Sequence, residues 1–268
     1  MNILLDVAIL ALTGTISGFA SGFFGIGGGF LMVPVQYWLL ASGGINETLA
    51  TRIAFGTGLA VMVPTMLSGA YGHHRKGVVN WPAAIPMGIA AVFGGLAGGT
   101  LASWLPGMAL RIIFSLALVI MSIRMLWEVR DCHICDIRGS PGAHISLGLL
   151  IGIISGLAGI GGGVVLVPIL VVVFRYPMRT AVGTSSACLI FSSAGAVTAY
   201  ALNGWGVAGL PPYSLGYVNL IQWAALAATT IPLALVGVRF CHVCSERKLR
   251  IIFAGIMIFI GVLMLMSL

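Results

Sequence analysis

The stretch Gly18 to Pro34, GFASGFFGIGGGFLMVP, recurs as Gly152 to Pro168, GIISGLAGIGGGVVLVP, with 10 of the 17 positions identical at a constant offset of 134. Each copy sets a cluster of glycines inside an apolar run. Glycine is a poor helix former, so a membrane helix is expected to break there. Two such breaks, one in each half of a chain, point to a binding site near the bilayer midplane, between structurally related halves.

Composition fixes the setting. Of the 268 residues 59% are hydrophobic and 7% charged, with a mean hydropathy of +1.11. So little charge does not cover the surface of a soluble domain, and the chain reads as an all-α polytopic membrane protein. The apolar runs are continuous rather than alternating, which argues against a β-barrel. The net charge is +7, yet no basic helix carries interleaved aromatics, which excludes nucleic acid as a partner. The opening MNILLD lacks the basic n-region of a signal peptide, so the N-terminus is expected to belong to the mature fold.

Polar breaks divide the chain into apolar segments near 3–42, 51–70, 82–103, 108–127, 144–174, 180–200, 218–240 and 247–267. Six have the length of a single span. Segments 3–42 and 144–174 would reach roughly 60 and 46 Å as straight helices, against a hydrocarbon core of about 30 Å. Each holds GIGGG near its middle, so both are expected to fold back as re-entrant or broken hairpins.

Loop charge supports that reading. With Tyr71 to Trp81 placed in the cytoplasm by the positive-inside rule, the span count puts 11 of the 13 Lys and Arg inside and only Arg52 and Arg111 outside. The first repeat is then 1–127, a cytoplasmic linker 128–143, and the second repeat 144–268, with both termini outside. A hairpin plus three spans is an odd number of crossings, so the halves are expected to be inverted repeats. Arg52-Ile-Ala-Phe-Gly-Thr57 matches Arg179-Thr-Ala-Val-Gly-Thr184, and LRIIF occurs at both Leu110–Phe114 and Leu249–Phe253.

The candidate site starts from Gly25, Gly27, Gly28 and Gly29 and their partners Gly159, Gly161, Gly162 and Gly163. A helix that restarts inside the membrane presents unpaired N–H groups and partial positive charge, to which an anion is the natural ligand. Close helix packing is the other use of such glycines. The hydroxyls of Thr57, Thr184, Ser185 and Ser186 either complete an oxyanion's coordination or bond back to their own helices. Arg52 and Arg179 either draw an anion to each mouth or extend toward head groups. All six acids fall in loops or at segment ends, which leaves no deep carboxylate for proton coupling. His73 and His74 are expected in an interfacial loop.

Two C-H-x-C motifs stand apart: Cys132 with Cys135, and Cys241 with Cys244. Both are expected on the cytoplasmic side, where thiols stay reduced. They are either a tetrahedral zinc site, a redox pair or unpaired thiols. Transport requires no cofactor on this reading.

The duplicated G-I-G-G-G…V-P, the A-x-G-T stretches after it and the H-H-R-K-G at 73–77 resemble the TauE/SafE sulfite exporter family, over about residues 10 to 268. The resemblance implies a bacterial or archaeal inner-membrane transporter of small sulfur-containing anions. The expected activity is sulfite export by alternating access, with one half rocking against the other. Uptake of thiosulfate or an organosulfonate by the same fold is the first alternative. A membrane thiol oxidoreductase built on the C-H-x-C pairs is the second.

Overall fold

The computed structural model describes residues 3–127 and 140–245, together with residues 251, 252, 254, 255, 258, 259 and 262 of the last apolar segment. The first half supplies α1 (Ile3–Phe24), α2 (Gly29–Ser42), α3 (Glu47–Arg75), α4 (Trp81–Trp104) and α5 (Gly107–Trp127). The second supplies α6 (Pro141–Ala158), α7 (Gly163–Val172), α8 (Met178–Asn203) and α9 (Leu220–Val243). The described residues beyond α9 from Ile251 onward are helical as well. Among the described residues five helices, α1, α3, α4, α8 and α9, are long and apolar enough to cross a membrane. The protein is an all-α, multi-pass membrane protein.

Both long apolar segments break at their glycines, between α1 and α2 and between α6 and α7. Each broken hairpin returns to the end where it began. Asp6, Val7 and Leu10 of α1 share a cavity of about 250 Å³ with Leu39 and Leu40 of α2. His144 on the first turn of α6 packs on Phe174 just past α7, ring centroids 5.0 Å apart.

Local chemistry sets the element ends. Asn46 caps α3 by accepting from the Thr48 N–H at 3.0 Å, with Glu47 in the first turn where the helix dipole favours an anion. Asn219 caps α9 through the Gln222 N–H at 3.0 Å. Ser140 caps α6 through the Ala143 N–H at 3.3 Å, and Pro141 takes the first helical position, where no N–H is needed. This helix therefore opens inside the stretch expected as linker; residues 128–139 of that linker lie outside the described residues.

Two more expectations are corrected. The helix of segment 51–70 runs on to Arg75, and His73 is not a loop residue. Its Nε2 bonds the Gly22 carbonyl oxygen at 3.0 Å and its side chain is fully buried, which holds the last turns of α3 against α1. The uncharged loop 201–217 contains strand β1 (Ser214–Leu215), paired antiparallel with β2 (Val218–Asn219) ahead of α9.

The helices approach through glycine. On α1, Gly14 faces Leu226, Gly18 faces Thr230 and Gly22 faces Ala234 of α9, so the two helices run parallel. On α6, Gly148 faces Met87, Gly152 faces Ala91 and Gly156 faces Gly98 and Gly99 of α4, again parallel. Each glycine triad is the other's copy at the offset of 134. The counterpart helices α3 and α8 cross the other way: Gly56 meets Tyr200, and Gly183 meets His73. Without side chains at these crossings the backbones come close enough for dispersion to hold them where water supplies no driving force.

A Cβ on Gly18 would lie 2.5 Å from the Thr230 Cα and 2.6 Å from its carbonyl oxygen. Gly18→Ala should therefore cost about 1–3 kcal/mol, read as a lower melting temperature in detergent. Gly255→Ala, which meets nothing within 4 Å among the described residues, should not lower it.

Candidate functional site

The two breaks have the same backbone. Gly25, Gly27 and Gly28 sit at φ of 68°, 89° and 71°, and Gly159, Gly161 and Gly162 at 66°, 75° and 75°. Side chains rarely tolerate this left-handed region, which is why the triplets are glycine. Gly28 and Gly162 are the N-caps of α2 and α7, and neither helix start has a side-chain cap. The helical ladder begins with Leu31 and Met32 on the Gly28 carbonyl, at 3.1 and 3.2 Å, and with Val165 and Leu166 on the Gly162 carbonyl, at 3.1 and 2.9 Å. The N–H groups of Gly29, Phe30, Gly163 and Val164 precede that ladder and point out of the helix starts.

These starts meet. A Cβ on Gly163 would lie 2.6 Å from the Ile26 Cα and 3.1 Å from the Gly25 carbonyl oxygen. One on Gly29 would lie 3.2 Å from the Ile160 Cα and 3.4 Å from the Gly159 carbonyl oxygen. Between the breaks stands Met62 of α3, whose methyl group occupies the place a Cβ would take at both Gly27 and Gly161. All eight glycines and Met62 are buried.

The hydroxyls and arginines divide differently from the glycines. Ser185 donates to the Gly25 carbonyl at 2.9 Å and so touches the first break directly. Ser186 bonds back to Val182 of its own helix at 2.9 Å. Thr57 accepts the Asn219 N–H at 2.9 Å and Thr184 the Asn80 N–H at 3.1 Å, which pins the chain just ahead of α9 and α4. Arg52 donates from Nη2 to the Leu105 carbonyl at 3.1 Å and from Nη1 to the Tyr217 hydroxyl at 3.3 Å. Arg179 donates to the Cys244 carbonyl at 3.3 Å. Leu105 and Cys244 are the C-caps of α4 and α9, where a cation satisfies an orphan carbonyl and the dipole together. A third matched pair joins His73 to the Gly22 carbonyl and Tyr200 to that of Gly156, the latter at 2.9 Å.

Five polar residues escaped the sequence reading. The hydroxyls of Ser21, Ser155, Ser192 and Ser193 and both amide atoms of Gln36 are fully buried and have no hydrogen-bond partner among the described residues. Ser21 and Ser155 end the first arms of the hairpins: their carbonyls accept the Gly25 and Gly159 N–H groups at 2.8 and 3.0 Å. The Ser193 hydroxyl lies 3.5 Å from a Cβ placed on Gly161. A Cβ placed on Gly58 would lie 4.0 Å from the Gln36 Nε2 and 3.9 Å from the Gly159 carbonyl. Ser21 and Ser155 are identical positions of the duplicated motif and Gln36 is the only amide of α2, so a signal was present. It is outweighed in the sequence by the glycines beside it.

At the end of the second hairpin, burial pushes the Tyr176 phenol above its usual range, against the Asn80 amide that donates to it at 3.0 Å. Cys241 is buried and Cys244 half-buried, while Cys132 and Cys135 lie outside the described residues. Among the described residues no group of three or more His, Cys, Asp or Glu is placed to hold a metal.

Two interrupted hairpins whose broken ends meet in the interior of a helical membrane protein are the architecture of a secondary transporter. The sequence profile of the Sulfite exporter TauE/SafE family matches residues 10–264, and the chain belongs to that family. A probable membrane transporter protein of Methanocaldococcus jannaschii is 30% identical over 98% of this chain and 97% of its own length. One of Haemophilus influenzae is 30% identical over 84% of each chain, and one of Bacillus subtilis 26% identical over 87% of this chain and 89% of its own. No solved structure matches the chain. The protein is a membrane transporter.

Gly161→Ala places a methyl on Met62 at a φ of 75°, and Gly27→Ala does the same at 89°. Each should cost about 1–3 kcal/mol or more, measured by detergent melting. Adding Met62→Ala should recover the steric part of the loss and leave the backbone part.

Proposed function

We propose that the protein carries a small sulfur-containing oxyanion across the cell (inner) membrane by alternating access, with sulfite export as the first assignment. One observation carries the reading. Two helix starts without a side-chain cap, aligned by left-handed glycines, face each other among buried hydroxyls that have no partner among the described residues. Unpaired N–H groups and hydroxyls are costly in an apolar interior unless a ligand satisfies them. The helix starts carry partial positive charge, so that ligand is an anion. The four glycines of each break, with Ser185 beside the first, replace its hydration shell.

The antiparallel crossing of α3 and α8 supports an inverted relation of the halves about an axis in the membrane plane. The distribution of Lys and Arg supports termini on the outer side. Thr57, Thr184, Arg52 and Arg179 hold the scaffold in this scheme and shape the site from outside it. The family name supports a sulfur anion as cargo; uptake of thiosulfate or an organosulfonate uses the same site in the other direction.

Reconstituted protein should give saturable flux of sulfite or thiosulfate into proteoliposomes. Gly27→Ala and Gly161→Ala variants that still elute as folded protein should lose it. Flux of these anions no faster than in protein-free vesicles ends the proposal.

A further inference from the structure

Resting on that transport reading, we infer that the site between the breaks is selective for valence: it accepts monovalent oxyanions, either hydrogensulfite-like or sulfonates R–SO3⁻, and refuses divalent ions of similar size, which sets the dianion thiosulfate aside among the cargoes named above. The unpartnered groups around the breaks are all neutral. They are the hydroxyls of Ser21, Ser155 and Ser193 and the amide of Gln36, with Ser192 next along α8. Arg52 Nε, His73 Nδ1 and Arg179 Nε are also buried without a partner among the described residues, but on side chains whose other nitrogens hold backbone carbonyls. Among the described residues no charged side chain is a nearest neighbour of the eight glycines. Arg52 and Arg179 hold the ends of α4 and α9, and His73 holds the Gly22 carbonyl.

That inventory sets a limit. Removing an ion from water costs free energy that grows as the square of its charge, whereas its attraction to fixed dipoles grows only in proportion to the charge. A shell of N–H and O–H dipoles that just balances a monoanion therefore falls far short for a dianion. A dianion needs either more converging dipoles or a counter-charge, and among the described residues no charged side chain is a nearest neighbour of the eight glycines.

The site is also two-faced. Gln36 and Ser193 have Leu170 and Met66 as their counterparts in the other half, so the polar groups are not shared evenly between the halves. Met62 presents its thioether and methyl to both breaks. An anion with oxygens on one side and a lone pair or a small apolar group on the other fits such surroundings better than a symmetric tetrahedral dianion. The Gln36 amide offers an acceptor, Oε1, as well as a donor, so it also accommodates an acid proton on the bound ion.

The test is counterflow exchange of labelled sulfite in proteoliposomes holding the full chain. It is run at a series of pH values across the sulfite–hydrogensulfite equilibrium, with unlabelled methanesulfonate and sulfate as competitors. Exchange should fall about tenfold per pH unit on the alkaline side, in step with the hydrogensulfite concentration. Competition by methanesulfonate, monovalent throughout, should not vary with pH and should need at least about tenfold less competitor than sulfate. Gln36→Leu should weaken methanesulfonate competition about tenfold at an unchanged melting temperature. Saturable exchange in which sulfate competes as well as methanesulfonate, or which follows the dianion, overturns the valence selectivity and leaves the transport reading standing. No saturable exchange of any sulfur anion overturns the transport reading and this inference together.

Discussion

A helix broken in the middle of a membrane has nowhere to turn for hydrogen bonds, and the rest of this structure answers that problem. Lipid satisfies no N–H or C=O group, so an irregular backbone survives at depth only when protein covers it. Here each break covers the other. The Gly163 turn lies on Ile26 and Gly25, and the Gly29 turn on Ile160 and Gly159. Close approach leaves no room for side chains, which requires glycine, and glycine in turn supplies the left-handed torsions of the turns. Sterics and conformational freedom point to one residue for the same reason in both halves.

Around this centre the halves repeat each other's fastenings. His73 and Tyr200 tie α3 and α8 to the carbonyls of Gly22 and Gly156, Thr57 and Thr184 hold the starts of α9 and α4, and Arg52 and Arg179 close the ends of α4 and α9. The departures from symmetry fall nearer the centre. Ser185 reaches the Gly25 carbonyl, while its counterpart Gly58 leaves the Gly159 carbonyl without that hydroxyl. Gln36 answers to Leu170. Symmetry is thus kept in the fastenings of the scaffold and given up beside the breaks.

The breaks and the hairpins were legible in the sequence because two independent quantities, segment length and loop charge, demanded them. The identity of the motif copies made the pairing of the breaks legible too. The uses of Thr57, Thr184, Arg52 and Arg179 were not, because their partners are backbone groups at helix ends, which carry no side-chain signature. His73 misled in the opposite direction. A run of basic residues reads as a loop, but one buried bond to the Gly22 carbonyl extends α3 through it. The serines and Gln36 stayed hidden because a lone hydroxyl in an apolar helix usually bonds its own backbone, as Ser186 does. Only the fold reveals which hydroxyls do not.

The parallel glycine crossings mix the two halves. Since α1 lies against α9 and α6 against α4 at backbone contact, each half lends its first arm to the other. Sliding one half past the other would drive Ala234 into Gly22 and Met87 into Gly148. Displacements that spare these crossings carry α1 with α9, and α6 with α4. The tightly packed units are therefore composites, and a boundary drawn in the chain at the linker does not correspond to a boundary in the packing.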